Sequence, residues 1–219
     1  TADASMAEDA SGLCGIGALS GVFHASGVLA DATVGNQSLS SIRSVFAPKV
    51  DAMDRLMSSL SFHPGAITVL FSSVASLTGS PGQINYSAAN SALDMLATSS
   101  TGRGMASVSI QWGAWAGGGM AGNDASTRAR VERTGIGLVE PGIGLDAMAN
   151  LVLGLNQASV VTCIPFTWER FISIQYRRSD VPAIFLNYAH FKKAEKSARN
   201  KRRASKKVAS RPEAPGAGV

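Results

Sequence analysis

The sequence predicts an α/β protein built on a parallel β-sheet. Short apolar runs rich in β-branched residues alternate with longer stretches of helical character, which is the pattern of strands joined by crossover helices. The predicted strands span residues 22–25, 66–71, 106–112 and 160–164, and the predicted helices span 41–62, 84–99 and 141–153.

The helix predicted over residues 41–62 is amphipathic, because its apolar residues recur mostly at spacings of three and four. Pro48 falls inside this pattern and predicts either a kink or a helix start near Ala47. Lys49 lies beside the irregularity. Taken alone, a single lysine on a helix is an ordinary solvated charge.

A candidate site lies in residues 66–90, where a strand is followed by a loop rich in Ser and Gly and then by a helix from Ile84. Ligands of open α/β sheets bind beyond the carboxyl ends of the strands, so Ser73 is expected to face Tyr86 in the first turn of that helix. Asn90 follows Tyr86 by four residues and shares its helix face. One interpretation is catalysis, and the alternative is an ordinary Ser-rich loop beside a half-buried tyrosine.

Length and composition narrow the class of protein. With 219 residues, 45% of them hydrophobic, the chain can form one sizeable core, or one domain and a tail. No run approaches the ~18 apolar residues of a membrane span, and we expect no signal peptide. Cys14 and Cys163 make no disulfide framework, and the histidines share no ligand spacing, so we expect no metal. A reducing compartment follows: the cytoplasm or, alternatively, an organelle such as a plastid.

The net charge of +5 is distributed unevenly. Residues 191–219 carry ten Lys/Arg against two Asp/Glu, whereas the remainder carries ten against thirteen. The body is therefore mildly acidic, and we expect no nucleic-acid partner for it. We predict two regions, a folded body over residues 1–178 and a basic linker or disordered tail over 179–219.

Three segments resemble the ketoreductase domains of type I polyketide synthases, complex members of the short-chain dehydrogenase/reductase superfamily. They are GVFHASGVLAD at 21–31, residues 66–90, and SIQWGAWAGGGMA at 109–121, within a match from about residue 18 to Phe171. The resemblance implies a Rossmann-like, doubly wound parallel sheet. It also implies an incomplete one, because the family's first strands and its G-x-G-x-x-G phosphate loop are absent. The glycines of residues 113–122 are no substitute, since they follow a late strand.

The resemblance assigns a catalytic set. The segment Ala47-Pro48-Lys49-Val50-Asp51 is similar to the family segment that carries the catalytic lysine. Tyr86 would donate the proton, Lys49 would supply positive charge, Ser73 would orient the substrate oxygen, and Asn90 would organise Lys49 and a relay water. In simpler family members a lysine follows the tyrosine by four residues. Here Asn90 holds that position, as in complex ketoreductases.

The resemblance also implies an NADPH site and a substrate groove. The cofactor residues would be Asp3 at the adenine, Gly27 at the adenosine ribose, Lys49 and Tyr86 at the nicotinamide ribose, and Trp112 and Gly113. The groove residues would be Asp31, Pro81, Asn85 and Met120. Asp31, Pro81 and Asn85 resemble the residues that B-type ketoreductases carry at these positions, although Ala30 stands where many B-type domains have an Asp. Residues 113–123 and a helix over 125–133 would form a lid.

The implied function is reduction of a β-ketoacyl thioester to a β-hydroxyacyl thioester with NADPH, within a larger synthase. The implied partners are an acyl carrier protein that presents the substrate and the other synthase domains. Two alternatives stay open at this point. One is an inactive ketoreductase-like scaffold, and the other is a protein that binds anionic partners through its basic tail, although that tail lacks interleaved aromatic residues.

Overall fold

The computed structural model describes residues 17–102, 106–118, 133–154, 158–176 and 181–190. Their centre is a four-stranded sheet of β1 (Leu19–His24), β2 (Phe62–Ser73), β3 (Ala106–Trp112) and β4 (Val160–Cys163). The spatial order equals the chain order, and all three pairings are parallel. The predicted α/β class and the parallel sheet are therefore confirmed.

The strand register brings the carboxyl ends of the strands together at one edge of the sheet. His24, the last residue of β1, pairs with Leu70. Ser73, the last residue of β2, pairs with Trp112, which in turn pairs with Cys163. Loops leaving these strand ends therefore share one edge, where open α/β sheets bind ligands.

Along the sequence, helices connect each strand of the sheet to the next. They are α1 (Leu39–Phe46), α2 (Ala52–Ser59), α3 (Val74–Thr78), α4 (Ile84–Gly102) and α5 (Pro141–Val152). A short 3₁₀ helix (Val34–Asn36) precedes α1. Ser38 caps α1 by accepting a hydrogen bond from the Ser41 amide, while the Ser41 side chain bonds back to the Ser38 amide.

The helix predicted over residues 41–62 is not continuous. A π-helical turn (Ala47–Asp51) separates α1 from α2, and the Ala52 amide donates to the Ala47 carbonyl five residues earlier. Pro48 lies in this turn and has no amide hydrogen for an ordinary helical bond. The irregularity that Pro48 predicts is thus a π-turn, and it carries Lys49. Strand β2 already begins at Phe62, where the sequence predicts the helix to end.

The segment predicted as a loop over residues 72–83 contains the short helix α3. The Ser73 side chain accepts a hydrogen bond from the Ala75 amide at 3.2 Å and so caps this helix. A serine at the end of a strand therefore starts a helix, which the turn-like composition of the segment concealed.

Alternate residues of the central strands supply two hydrophobic clusters. Val69 of β2 and Val108 and Ile110 of β3 belong to one cluster, which also contains Leu151 of α5. Leu70 belongs to the other, together with Leu93 and Ala97 of α4 and Met53 of α2. A parallel sheet that is buried on both faces requires such near-continuous apolar strands, which is how β2 reads in the sequence.

Contacts divide the chain into two compact units: Thr1–Asn123 with Leu138–Ile164, and Asp124–Gly137 with Pro165–Val219. The described part of the second unit contains α6 (Trp168–Gln175) and a 3₁₀ helix (Ala183–Tyr188). Its centre is Phe171, which is fully buried and contacts the rings of Phe166, Trp168, Tyr176 and Phe185.

Packing in the second unit continues beyond residue 178, where the sequence analysis begins the tail. Phe185 is buried, and Tyr188 stacks on Trp168 with ring centroids 3.7 Å apart. The predicted tail beyond residue 190 lies outside the described residues, as does nearly all of the predicted lid helix. Within the part that the structure describes, no helix is both long and apolar enough to cross a membrane.

Gly135 provides a test of the packing in the second unit. It has φ +83°, and a Cβ placed on it would lie 2.8 Å from the Phe171 Cα and closer still to the Phe171 amide nitrogen. We expect Gly135→Ala to lower the free energy of unfolding by about 2–4 kcal/mol, because both the backbone angle and the space exclude a side chain. Urea unfolding followed by tryptophan fluorescence measures this change.

Gly142→Ala is the matched control, since nothing lies within 4 Å of a Cβ at this position in α5. Alanine favours the helix, so the free energy of unfolding of this variant should equal that of the parent protein or exceed it by up to ~1 kcal/mol. Equal stability of the Gly135 and Gly142 variants would contradict the packing described here.

Candidate functional site

The π-turn directs the Lys49 side chain into the protein at the end of β2. Its Nζ donates a hydrogen bond to the Phe71 carbonyl at 3.0 Å and lies 5.5 Å from the centre of the Tyr86 ring. Only 3% of Lys49 is exposed. A buried ammonium group requires a specific partner, so this lysine is not the solvated charge that its sequence context alone suggests.

Gly27 makes room for this lysine. A Cβ at position 27 would lie 3.0 Å from Lys49 Cε and 3.4 Å from Lys49 Nζ. The resemblance to ketoreductases implies that Gly27 lets the backbone approach a cofactor ribose. The contact that the structure records is with the Lys49 side chain, so a reason for glycine exists within the chain itself.

Burial lowers the pKa of Lys49 from its ordinary value to about 8, and the carboxylate of Asp94 acts in the opposite direction. The lysine therefore remains mostly protonated at neutral pH but sits close to its titration range. A group in this state can hold positive charge beside a reacting atom.

Tyr86 and Asn90 lie on successive turns of α4. The Asn90 side-chain amide donates to the Tyr86 carbonyl at 2.8 Å, and the Ser72 hydroxyl donates to the Asn90 carbonyl at 3.2 Å. Asn90 is completely buried, and its side-chain oxygen has no hydrogen-bond partner among the described residues. A buried amide oxygen of this kind is an acceptor ready for a water molecule or an ammonium group.

Ser73 has a local role in the structure. Its hydroxyl caps α3, as described above, by accepting a hydrogen bond from the Ala75 amide. The structure therefore brings Lys49, Tyr86 and Asn90 together. It places Ser73 at the neighbouring strand end, where its orienting role stays a prediction.

The loop that follows β1 is joined to the loop before α4. The Gln83 side chain donates to the Asp31 carboxylate at 3.0 Å, and the Asn85 side chain donates to the Ala30 carbonyl at 2.8 Å. Asn85 is buried, and its amide oxygen accepts from the Tyr86 amide at 2.8 Å. The predicted groove residue Asn85 thus ties the start of the Tyr86 helix to the Asp31 loop.

Gln83 is a member of this arrangement that the sequence analysis does not identify. A backbone hydrogen bond from Ala32 to Gly82 at 2.8 Å runs beside it and reinforces the same junction. Pro81, two residues before Gln83, is exposed. The signal available in the sequence was the position of Gln83 three residues before Tyr86, at the very entrance to the helix.

Trp112 and Gly113 occupy the end of β3, and their recorded contacts are structural. The Trp112 ring contacts those of Phe71 and Trp115, with centroids 5.8 and 4.9 Å away. A Cβ on Gly113 would lie 2.5 Å from the Ile164 side chain, so a larger residue there would displace Ile164. Their predicted cofactor role remains a prediction, whereas Asp3 and Met120 lie outside the described residues.

Asp94 is the clearest polar residue that the sequence analysis missed. One carboxylate oxygen accepts from Ser109 at 2.6 Å, and the other accepts from Ser76 at 2.7 Å and from Gln111 at 2.8 Å. Thr162 of β4 donates to Gln111 at 2.6 Å and extends the network across the sheet. Asp94 follows Asn90 by four residues, so the helix period that unites Tyr86 and Asn90 also includes it.

The arrangement can donate a proton from a phenol, hold a positive charge beside it and bind a polar group at the Asn90 oxygen. It contains no metal-binding group, in that no cluster of three or more His, Cys, Asp or Glu occurs in the described ranges.

Comparison with known proteins identifies the family. The KR domain family model matches residues 2–117, which is more than half of the chain. The chain is 38% identical over 161 residues to polyketide synthase GfsB of Streptomyces halstedii, covering 73% of this chain and 3% of that protein. It is 40% identical over 148 residues to the phenolphthiocerol synthesis polyketide synthase Pks15/1 of Mycobacterium marinum, covering 66% of this chain and 7% of that one.

Solved structures give the same result. An A-type ketoreductase from a modular polyketide synthase aligns with a TM-score of 0.72 at 28% identity, covering 85% of this chain and 39% of that one. The first ketoreductase of the tylosin synthase aligns with a TM-score of 0.60 at 36% identity, covering 69% and 33%. This chain belongs to the KR domain family, the ketoreductases of polyketide synthases, and it spans a small fraction of the synthases it matches.

The influence of Asp94 on Lys49 can be measured directly. Because the Asp94 charge raises the pKa of Lys49 against the effect of burial, Asp94→Asn should lower that pKa below about 8. The lysine would then lose its proton at a lower pH than in the parent chain. NMR titration of isotope-labelled lysine, with the signal assigned through Lys49→Arg, gives the value.

Gln111→Met is the control for this titration. It removes a donor to Asp94 but keeps the carboxylate, so the pKa of Lys49 should remain near the parent value. A Lys49 titration that is the same in the Asp94 variant and the parent would show that the carboxylate does not act on the lysine.

Proposed function

We propose that this chain is the catalytic part of a ketoreductase that uses NADPH to reduce a β-ketoacyl thioester to a β-hydroxyacyl thioester. The observation that carries the proposal is the buried ammonium group of Lys49, 5.5 Å from the centre of the Tyr86 ring. Burying a lysine is unfavourable unless its charge has a use or a partner. Membership of the KR domain family supplies the chemistry in which such a charge is useful.

In this proposal Tyr86 donates its phenolic proton to the carbonyl oxygen of the substrate. Negative charge develops on that oxygen, and afterwards on the phenolate, during reduction. Lys49 stabilises both charges because its ammonium group is held in a dry environment, where electrostatic interactions are stronger than in water. Ser73 donates to the same carbonyl oxygen and orients it.

Asn90 would then serve the return of the proton to Tyr86. Its buried side-chain oxygen can accept a hydrogen bond from a relay water or from the Lys49 ammonium group. Its side-chain nitrogen is already committed to the Tyr86 carbonyl at 2.8 Å. The free oxygen and the bound nitrogen together define which end of the amide faces the reaction.

The residues present fit the ribose end of a nicotinamide cofactor. Lys49 offers an ammonium donor and Tyr86 a hydroxyl to the nicotinamide ribose, and Gly27, whose missing Cβ admits the Lys49 side chain, would lie at the adenosine ribose. When bound, the cofactor supplies a hydride for the carbonyl carbon. Lys49, Tyr86 and Gly27 would hold its ribose groups, and the backbone at Trp112 and Gly113 would border it.

The substrate would arrive on an acyl carrier protein, with the other domains of a synthase as partners. The matched relatives support this, since they are polyketide synthases far longer than this chain. Such a reaction would take place in the cytoplasm. An inactive scaffold remains as an outcome of the experiments below, whereas no described residue favours an anionic partner.

Replacement of Tyr86 tests the proton donor. The enzyme is these 219 residues joined to the first half of a KR domain from a matched synthase, because the present sequence contains no dinucleotide phosphate loop. In this extended chain, Tyr86→Phe should reduce NADPH-dependent reduction of a β-ketoacyl thioester by roughly 10²-fold or more. The decrease in NADPH absorbance gives the rate.

Tyr188→Phe is the control, since Tyr188 stacks on Trp168 in the second unit. It should retain the parental rate. Equal rates for the two variants would remove Tyr86 from the mechanism, and an extended chain that binds NADPH but reduces nothing would favour the scaffold.

The configuration of the product tests the groove. Asp31, Pro81 and Asn85 are the residues that resemble B-type ketoreductases, and we expect the loops that carry them to guide the substrate arm to one side. Entry from that side presents one face of the ketone to the hydride, so the product should be the D-configured β-hydroxyacyl thioester.

Chiral chromatography of the product from the extended chain measures this. A predominantly L-configured product would contradict the B-type interpretation while leaving the reductase activity intact. The likeness to an A-type structure does not decide this choice, since ketoreductases of more than one type align with this chain.

A further inference from the structure

We propose that His24, the last residue of β1, and Ser26, two residues later, are positioning residues that hold the π-turn in place and thereby fix the Lys49 side chain. The inference rests on the proposed function for its catalytic meaning, but its structural content stands by itself. Neither side chain is expected to touch the substrate. Their effect is exerted through two backbone carbonyls.

The two side chains bind successive carbonyls of the π-turn. His24 Nε2 lies 2.7 Å from the Lys49 carbonyl oxygen, and the Ser26 hydroxyl donates to the Pro48 carbonyl oxygen. Both contacts join residues that are more than twenty positions apart in the chain. The segment that carries the lysine is therefore attached to the last residue of β1 and to the loop that follows it.

The π-turn requires such an attachment. A π-turn inside an α-helix displaces the regular hydrogen bonds by one residue, and Pro48 contributes no amide hydrogen to it. Without external donors, the segment could return to an α-helical register. Such a change would rotate Lys49 by about 100° around the helix, as one residue of a 3.6-residue turn. Lys49 Nζ would then lose its position at the Phe71 carbonyl.

The state of His24 suits this role. A carbonyl can only accept a hydrogen bond, so His24 Nε2 must carry the hydrogen. Burial, with a smaller contribution from the Lys49 charge, lowers the pKa of His24, while the bond to the Lys49 carbonyl acts the other way. The ring is thus neutral at pH 7 and donates through Nε2. A neutral donor holds the backbone without adding a second positive charge beside the ammonium group of Lys49.

The test compares two amides at position 24. The amide nitrogen of Gln reaches about as far from the backbone as His Nε2. The Asn side chain is shorter, and its amide nitrogen reaches only as far as His Nδ1. In His24→Asn we expect Lys49 to leave its buried position, so that its pKa rises from about 8 toward the ordinary 10.5. In His24→Gln the pKa of Lys49 should stay near about 8. NMR titration of isotope-labelled lysine in the full chain provides both values.

Activity gives the second measurement, in the extended chain defined above. His24→Asn should lower kcat about tenfold with a much smaller change in KM, because the transition-state charge loses its partner while substrate contacts persist. His24→Gln should restore kcat. A general loss of stability would not be expected to distinguish the two amides in this way.

Ser26, whose hydroxyl lies 3.4 Å from His24 Nε2, provides a second variant in case the His24 variants fail to fold, because Ser26 is exposed and its truncation leaves no buried cavity. Ser26→Ala should raise the pKa of Lys49, and Ser26→Thr, which keeps the hydroxyl, should not. If the pKa of Lys49 is unchanged in both His24→Asn and Ser26→Ala, the proposal is wrong. If that pKa rises as expected but no extended chain, including the parent, reduces the ketone, the positioning role stands and the proposed function fails.

Discussion

The burial of one ammonium group is the constraint on which the site depends. Lys49 is almost inaccessible to solvent, yet its pKa of about 8 keeps it mostly protonated at neutral pH. An isolated buried charge would be strongly unfavourable, so its surroundings must compensate. The Phe71 carbonyl, the face of the Tyr86 ring and the carboxylate of Asp94 each contribute to that compensation. The space beside Gly27 and the π-turn belong to the same arrangement, since they allow the side chain to reach this position.

The sheet is organised to supply part of this compensation. Ser109 and Gln111 are buried polar residues of β3, a strand that otherwise contributes Val108 and Ile110 to the core. Polar side chains in such a position are tolerated when they are hydrogen-bonded, and both bind Asp94. A carboxylate that receives three hydrogen bonds is held in a fixed place. The core of the protein thus fixes the position of the Asp94 carboxylate on the helix that carries Tyr86.

Much of the fold could be predicted from local patterns, but the centre of the site could not. Strand β3 has the predicted bounds, and α4 begins at the predicted residue, since apolar periodicity and a change in composition mark both. The placement of Tyr86 and Asn90 on successive turns of one helix face could be predicted, because they are four residues apart. Lys49 has no such signal, because its burial is decided by β2 and α4, which are distant in the chain. Only the resemblance to ketoreductases pointed to it. The same reason explains why Asp94 and His24 were not predicted as site residues: their hydrogen-bond partners lie on other elements.

The Ser73 hydroxyl can make two hydrogen bonds at once, one as acceptor and one as donor. Its oxygen accepts the Ala75 amide hydrogen, and this leaves the hydroxyl hydrogen available to another acceptor. Removing the hydroxyl would weaken the start of α3 by about 1 kcal/mol as well as any hold on a ligand. Helix α3 also contains Ser76, which binds Asp94. Under the proposed function, a kinetic defect after truncation of Ser73 would therefore combine the loss of the proposed substrate contact with a loosened support for the Asp94 carboxylate. Its size would overstate what the hydroxyl itself does for the reaction.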